Sequence, residues 1–410
     1  MVNFLAGNVK PVVGETQDRA QAAADWLARA QDATPDGGVS FGYFPCDAKD
    51  AWQTSYPETT GYIIPTCLDF AKLTQDSSFR ERAIHMANWE VDVQMQSGAV
   101  QGGRICAASE QTAASFNTGM VLHGWSRLLA ERDDSKILDA AAKAANFLVD
   151  DMNDQGVFRT NGAFVSEGVK AYCCLCGWAL YLFGDVTDDN AYRQAAVKSV
   201  EATVSEQQEN GWIRNNSLER TDMALTHTLG YSLQAFLEVG ILANRDDFVS
   251  AAKSSVDAVI PIVSQNGFLH GSHYSDWGPA MFSSCLTGSA QLAIVMYRLA
   301  DHLGESKYQC IADQLVNFLK ARQIVGSPND NINGAIAGSF PILGQYMTRG
   351  YPNWATKYLL DALMLQLSAN QSDPASSFAL EPSRPEWQSN MDGKVDRKDR
   401  ADCLSRSPGR

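Results

Sequence analysis

Two apolar patterns alternate along the chain. The first is amphipathic and alanine-rich. FRERAIHMANWEVDVQ (79–94) and ILDAAAKAANFLVDDM (137–152) place small or apolar residues at i, i+3, i+4 and i+7, the spacing of one helix face. Alanine keeps such helices cheap to form and lets them approach closely. The second pattern is apolar nearly all round: ETTGYIIPTCLDFAKL (58–73), FNTGMVLHGWSRLLAE (116–131), YCCLCGWALYLFGD (172–185), THTLGYSLQAFLEVG (226–240), CLTGSAQLAIVMYRLAD (285–301) and NWATKYLLDALMLQL (353–367). A helix apolar on every side is buried on every side. Most of these segments carry Thr-Gly or a near variant about one turn in, and the sixth lacks the Gly.

The alternation is a repeat. Each amphipathic segment runs into a polar stretch and a Gly-containing turn, and its anchor residues Trp26, Trp89, Phe147, Thr203, Val259 and Phe318 recur every 56 to 63 residues. One unit is an inner helix, a short turn, an outer helix and a longer loop. Six such units with a fully buried inner set predict a closed all-α ring, an (α/α)6 toroid of six helical hairpins with little strand; an open solenoid would need atypical capping helices. NG and DG turns in the loops favour small β-hairpins. Pro65 and Pro261 fall within predicted helices and are expected to kink or shorten them. The ring is expected over 15–368, after an irregular segment at 1–14. The polar, Pro- and Ser-containing stretch 369–410 reads as a disordered tail.

Composition agrees with one large core: 410 residues, 45% hydrophobic and 20% charged. The net charge of -14 argues against nucleic acid and anionic membranes, which need clustered Lys and Arg. No run of about 18 apolar residues predicts a membrane span, and the first residues show no secretory pattern. The nine cysteines are odd in number and several sit in apolar stretches, so they read as small core residues. Together these features predict a cytoplasmic protein.

In a toroid the loops before the inner helices gather at one mouth, the default binding site. Those loops pair aromatic rings with Asp, Glu, Asn, Arg and His, the groups a saccharide needs: ring faces for its C–H surfaces and planar polar groups for its hydroxyls. Glu58 and Asp222 are the expected acid/base carboxylates, with Glu167 a further candidate; His227, His273 and Tyr274 are alternative bases. Arg214 is expected to neutralise a uronate carboxylate. Tyr56 and Trp354 are expected to stack on sugar rings, and Tyr43, Trp52, Arg104 and Trp277 complete the binding set. Cys173, Cys174 and Cys176 lack the paired CxxC spacing of a zinc site, and VDDMND (149–154) is the only near match to an Asp-rich diphosphate motif, so neither metal nor cofactor is predicted.

The hairpins with YPETTGYIIPT (56–66), SSCLTGSAQLAIVMYRLAD (283–301) and GSFPILGQYMTRGYPNWATKYLLDAL (338–363) resemble the six-hairpin glycosidase-like toroids, and more narrowly the VpsJ-like members found with bacterial exopolysaccharide genes. The resemblance covers about 15–368. It implies a carbohydrate-active protein of polysaccharide metabolism: a glycoside hydrolase, a uronate lyase or a sugar epimerase. A non-catalytic saccharide-binding or scaffold protein is the alternative, and a prenyltransferase- or terpene-cyclase-like enzyme ranks behind both. An oligo- or polysaccharide is the expected partner.

Overall fold

The computed structural model describes residues 16–47, 51–162 and 168–370. Most of the segments 1–14 and 369–410 therefore lies outside the described residues. Among the described residues twelve α-helices follow one another: α1 (Thr16–Asp32), α2 (Pro57–Thr74), α3 (Ser77–Val93), α4 (Ser115–Leu129), α5 (Ser135–Asp151), α6 (Leu175–Thr187), α7 (Asn190–Val204), α8 (Thr226–Ala243), α9 (Asp246–Val259), α10 (Leu286–Leu303), α11 (Ser306–Lys320) and α12 (Asn353–Asn370). The even-numbered helices are the inner set. Each packs on the next, and α12 packs back on α2, so the ring is closed.

The inner helices run parallel, which their level-matched contacts show. A Cβ on Gly61 would lie 2.6 Å from the Val121 backbone, one on Gly119 2.5 Å from Cys176 Sγ, and one on Gly288 2.3 Å from Thr226 Oγ1. At Gly61, Gly119 and Gly288 the repeated glycine is thus where neighbouring inner helices come closest, whereas Gly177 faces α7 and Gly230 the Gln291 side chain. Further in, the ring is charged. Asp69, Arg127, Glu238 and Arg298 each lie twelve residues after the first residue of their helix and pair between neighbours: Arg127 with Asp69 at 2.8 Å and Arg298 with Glu238 at 2.9 and 3.0 Å, all buried.

Inner and outer helices join through tight turns. Asp76, Asp134 and Asp189 cap α3, α5 and α7 by accepting backbone N–H bonds. The outer helices end in the predicted Gly turn. Gly98, Gly156, Gly211 and Gly267 all have φ between 80 and 87°, and each donates its N–H to the residue three before it. A side chain there would be strained and would also strike the carbonyl of the next outer helix, as at Gly267, whose Cβ would lie 2.1 Å from Gln314 O. Pro65 stays inside α2, whereas α9 stops at Val259 and Pro261 sits in a separate 3-10 turn. Among the described residues strand is confined to three two-stranded pairs in the mouth loops: β1 (Gly42–Tyr43) with β6 (Tyr351–Pro352), β2 (Met223–Leu225) with β3 (Ser272–Tyr274), and β4 (Ser284–Cys285) with β5 (Ser339–Phe340).

The sixth hairpin joins distant parts of the sequence, since α1 packs against α12. Trp26 Nε1 donates to Asn331 O at 2.8 Å, and Gln323 donates to Arg19 O at 2.9 Å. Gly334 (φ 96°) presses on α1 so closely that a Cβ would lie 1.9 Å from Ala22 O. Gly334→Ala is expected to lower stability by about 2 kcal/mol or more, read by urea unfolding; an unchanged midpoint would show that this contact does not hold the closing hairpin.

Candidate functional site

The second residue of each inner helix faces the mouth, and the sixth lies one turn below it. Read this way, Glu58, Phe116, His227, Thr287 and Trp354 form an upper level, with Tyr62, Met120, Tyr231, Gln291 and Tyr358 beneath them. On α6 the place is taken by Tyr172, in the 3-10 turn Ala171–Cys174 that leads into the helix. Ring contacts tie the levels together. His227 lies 4.5 Å from Tyr231 and 5.5 Å from Tyr346, Phe116 lies 5.1 Å from Tyr172 and 4.9 Å from Tyr231, and Tyr62 lies 5.6 Å from Tyr358, centroid to centroid. The result is a tyrosine-lined cage on the ring axis.

Glu58 sits in its wall. Pro57 starts α2, where its missing N–H costs nothing, and delivers Glu58 into the first turn. Tyr56 Oη donates to Glu58 Oε2 at 2.5 Å. Burial disfavours the carboxylate and pushes Glu58 up to about 7, against the opposing pull of the Tyr56 hydrogen bond. His227 is shifted the other way: burial lowers it to about 4, so its imidazole is neutral at ordinary pH. Its Nδ1 lies 2.6 Å from Gln291 Oε1. Trp354 Nε1 donates to Tyr346 Oη at 2.8 Å, and Trp354 meets Phe41 edge-on at 4.8 Å.

Among the described residues, Asn117 Oδ1, Tyr62 Oη, Tyr231 Oη, Thr287 Oγ1 and Gln291 Nε2 are buried without a fully formed hydrogen bond, although the Tyr62, Tyr231 and Tyr358 hydroxyls and the Gln291 amide lie near enough to act on one another. Native interiors rarely leave such groups unsatisfied, so their convergence on one axis marks a place that receives polar ligand groups. Below the cage, Tyr62 and Tyr358 also line a small cavity with Asp69, His123, Arg127 and Asp361. There Lys357 pairs with Asp361 at 2.7 Å and lies 4.0 Å from the Tyr358 ring centroid.

Of the residues the sequence nominates, the structure brings Tyr56, Glu58, His227 and Trp354 together, and places Arg104 at the rim, 5.6 Å from the Phe41 ring. It does not bring the others to the cage. Asp222 is exposed and clamped by Arg220 at 2.5 and 2.9 Å, just before β2. Arg214 is exposed and pairs with Glu206 at 3.0 Å near the end of α7. His273 lies in β3 with both ring nitrogens 3.1 Å from backbone carbonyls, those of Trp277 and His270. Its neighbour Tyr274 points to solvent, and Trp277 Nε1 donates to Asn210 O at 3.0 Å. Tyr43 and Trp52 pack on each other at 5.2 Å, and Trp52 reaches Trp26 of α1. The physical reason is local pairing: Arg220 holds Asp222, Glu206 holds Arg214, and the β2–β3 pair and the Trp277 and His270 carbonyls hold His273. Glu167 lies outside the described residues.

The sequence reading passed over Tyr62, Tyr231, Tyr358 and Gln291. A signal existed: a tyrosine follows Glu58, His227 and Trp354 by four residues each time, one helical turn.

No protein-family profile matches the chain, and no curated protein matches it. Solved structures do. The chain is similar to an unsaturated glucuronyl hydrolase specific for heparin (15% identity, 88% of this chain and 99% of that one, TM-score 0.69). It is similar to cellobiose 2-epimerase from Bacillus thermoamylovorans (9%, 88% and 99%, 0.68) and to D-mannose isomerase (12%, 88% and 98%, 0.68). The ring is a fold these proteins share. Among the described residues no helix is long and apolar enough to cross a membrane.

Proposed function

We propose that the chain is a sugar epimerase or isomerase acting on a neutral saccharide by proton transfer. One observation carries this reading: a carboxyl poised at about 7 and a neutral imidazole share a cage of incompletely hydrogen-bonded hydroxyl and amide groups. In an open-chain aldose the carbon next to the carbonyl is acidic. Ionised Glu58 takes its proton, the C–H electron pair moves toward the carbonyl oxygen, and buried donors such as the tyrosine hydroxyls and the Gln291 amide steady the developing oxyanion. For a ketose the same carboxyl returns that proton to the former carbonyl carbon, while the hydroxyl proton taken up by His227 passes to the former carbonyl oxygen. For an epimer the planar intermediate first turns its other face to Glu58 by rotation about the adjacent C–C bond, and the carbonyl re-forms as the proton returns. His227 Nε2 accepts the proton of the hydroxyl that must ionise, and Trp354 and Tyr56 cover the C–H face of the sugar.

The lining favours an uncharged substrate. A uronate beside Glu58 would put two carboxylates into one buried space, while Lys357, one turn lower, is already paired with Asp361. A uronate-directed hydrolase is the second reading, supported by Arg104 at the rim. In polysaccharide metabolism, which the resemblance implies, either enzyme would act on oligosaccharide units.

Incubation with mannose, glucose or cellobiose in D2O, followed by NMR, tests the choice. The expected result is a new isomer carrying deuterium at the carbon next to the carbonyl. Cleavage of an unsaturated glucuronyl disaccharide, with the neutral sugars untouched, overturns it in favour of the hydrolase. Trp354→Ala is expected to raise KM about tenfold or more with a smaller effect on kcat, since stacking is binding energy; an unchanged KM removes Trp354 from the substrate.

A further inference from the structure

We infer that Gln291 is a positioning residue: its side-chain oxygen fixes the tautomer of His227, and Gly230 is the slot that admits it. This rests on the proton-transfer reading for its consequence, though not for its test.

Gln291 is buried in α10, one turn below Thr287, and crosses to α8. Its Oε1 lies 2.6 Å from His227 Nδ1. An amide oxygen is only an acceptor, so Nδ1 must carry the proton and Nε2 is left bare as the basic atom. The partner's chemistry matters as much as its place. A carboxylate there would stabilise the imidazolium and raise the basicity of His227. The neutral amide orients the ring and pulls its pKa up only modestly, so burial still outweighs it and holds His227 at about 4.

Gly230 supplies independent support. It lies on α8 one turn below His227, and a Cβ there would fall 2.6 Å from Gln291 Cβ, 3.0 Å from Cδ and 3.1 Å from Oε1. A side chain at 230 would therefore displace the amide without touching the imidazole's own helix position. The other end of the amide, Nε2, acts as a donor toward the Tyr358 hydroxyl, which also interacts with Tyr231, so it faces the cage. The same residue thus orients the base and offers a donor to the sugar.

The test is nitrogen NMR of the His227 ring in protein with 15N-labelled histidine, assigned with a His227→Asn control. Wild type is expected to show the Nδ1–H tautomer, neutral at pH 6. Gln291→Glu is expected to keep that tautomer but raise the imidazole pKa, so that protonated His227 appears at pH 6. Gln291→Met and Gly230→Ala are expected to mix the two tautomers. An Nε2–H tautomer in wild type, or no change in Gly230→Ala, overturns the inference whatever the enzyme does. If turnover is found, the acid limb belonging to His227 moves to higher pH in Gln291→Glu. If no sugar turns over while the NMR behaves as stated, the positioning stands and the reaction assignment falls.

Discussion

Glu58→Gln is expected to lower turnover by about 10²–10⁴-fold while the fold survives, because the amide keeps the shape but cannot carry the proton. The pH dependence makes this specific. As a base Glu58 must be ionised, so activity should rise as pH passes through about 7 and be lost below it. Tyr56→Phe removes the hydrogen bond that favours the carboxylate, so the inflection should move to higher pH. Stability should run the opposite way. The folded-state value lies above the ordinary 4.5, so folded protein holds this proton more tightly than unfolded protein. Glu58 is therefore least costly at low pH, and stability falls as pH rises through 4.5 toward 7, by on the order of 3 kcal/mol. Glu58→Gln should accordingly raise Tm at pH 8 and leave it nearly unchanged at pH 4. A pH–rate profile that keeps its inflection in Glu58→Gln would remove Glu58 from the chemistry.

Arg298→Met is expected to cost about 3–5 kcal/mol of stability. It leaves the Glu238 carboxylate inside the ring without its two-point partner at 2.9 and 3.0 Å. Much of that cost is an unpaired buried charge rather than a lost attraction. The double change Arg298→Met with Glu238→Leu should therefore recover most of it. Urea unfolding decides the matter: a single variant within about 0.5 kcal/mol of wild type would mean that the inner helices do not depend on this pair.

The fold was largely legible because its signal is periodic. Alternating amphipathic and wholly apolar segments, repeated six times, leave few arrangements other than a closed ring, and the Gly turns recur because each presses on the next outer helix. The site was less legible because sequence position does not report direction. Glu58 and His227 stand second in their helices and so reach the axis. Asp222 comes shortly before His227 but stands just ahead of β2, and His273 is held within β3, well before the start of α10. Arg214 looked free to meet a carboxylate, and Glu206 had already claimed it. The tyrosines were hidden for the opposite reason. Inside an apolar helix, Tyr62, Tyr231 and Tyr358 look like filling, and only the third dimension shows their hydroxyls converging.

The hairpin made by α1 and α12 sets a condition on biogenesis. Thr16 Oγ1 donates to Gln366 Oε1 across a sequence separation of 350 residues. Helix α1 thus has no inner-helix partner until residues 353–370 have been made, and through that interval the part of its apolar face that α12 covers stays open. Contacts this remote slow folding, so nascent chains stalled before residue 353 should be the forms most readily captured by chaperones.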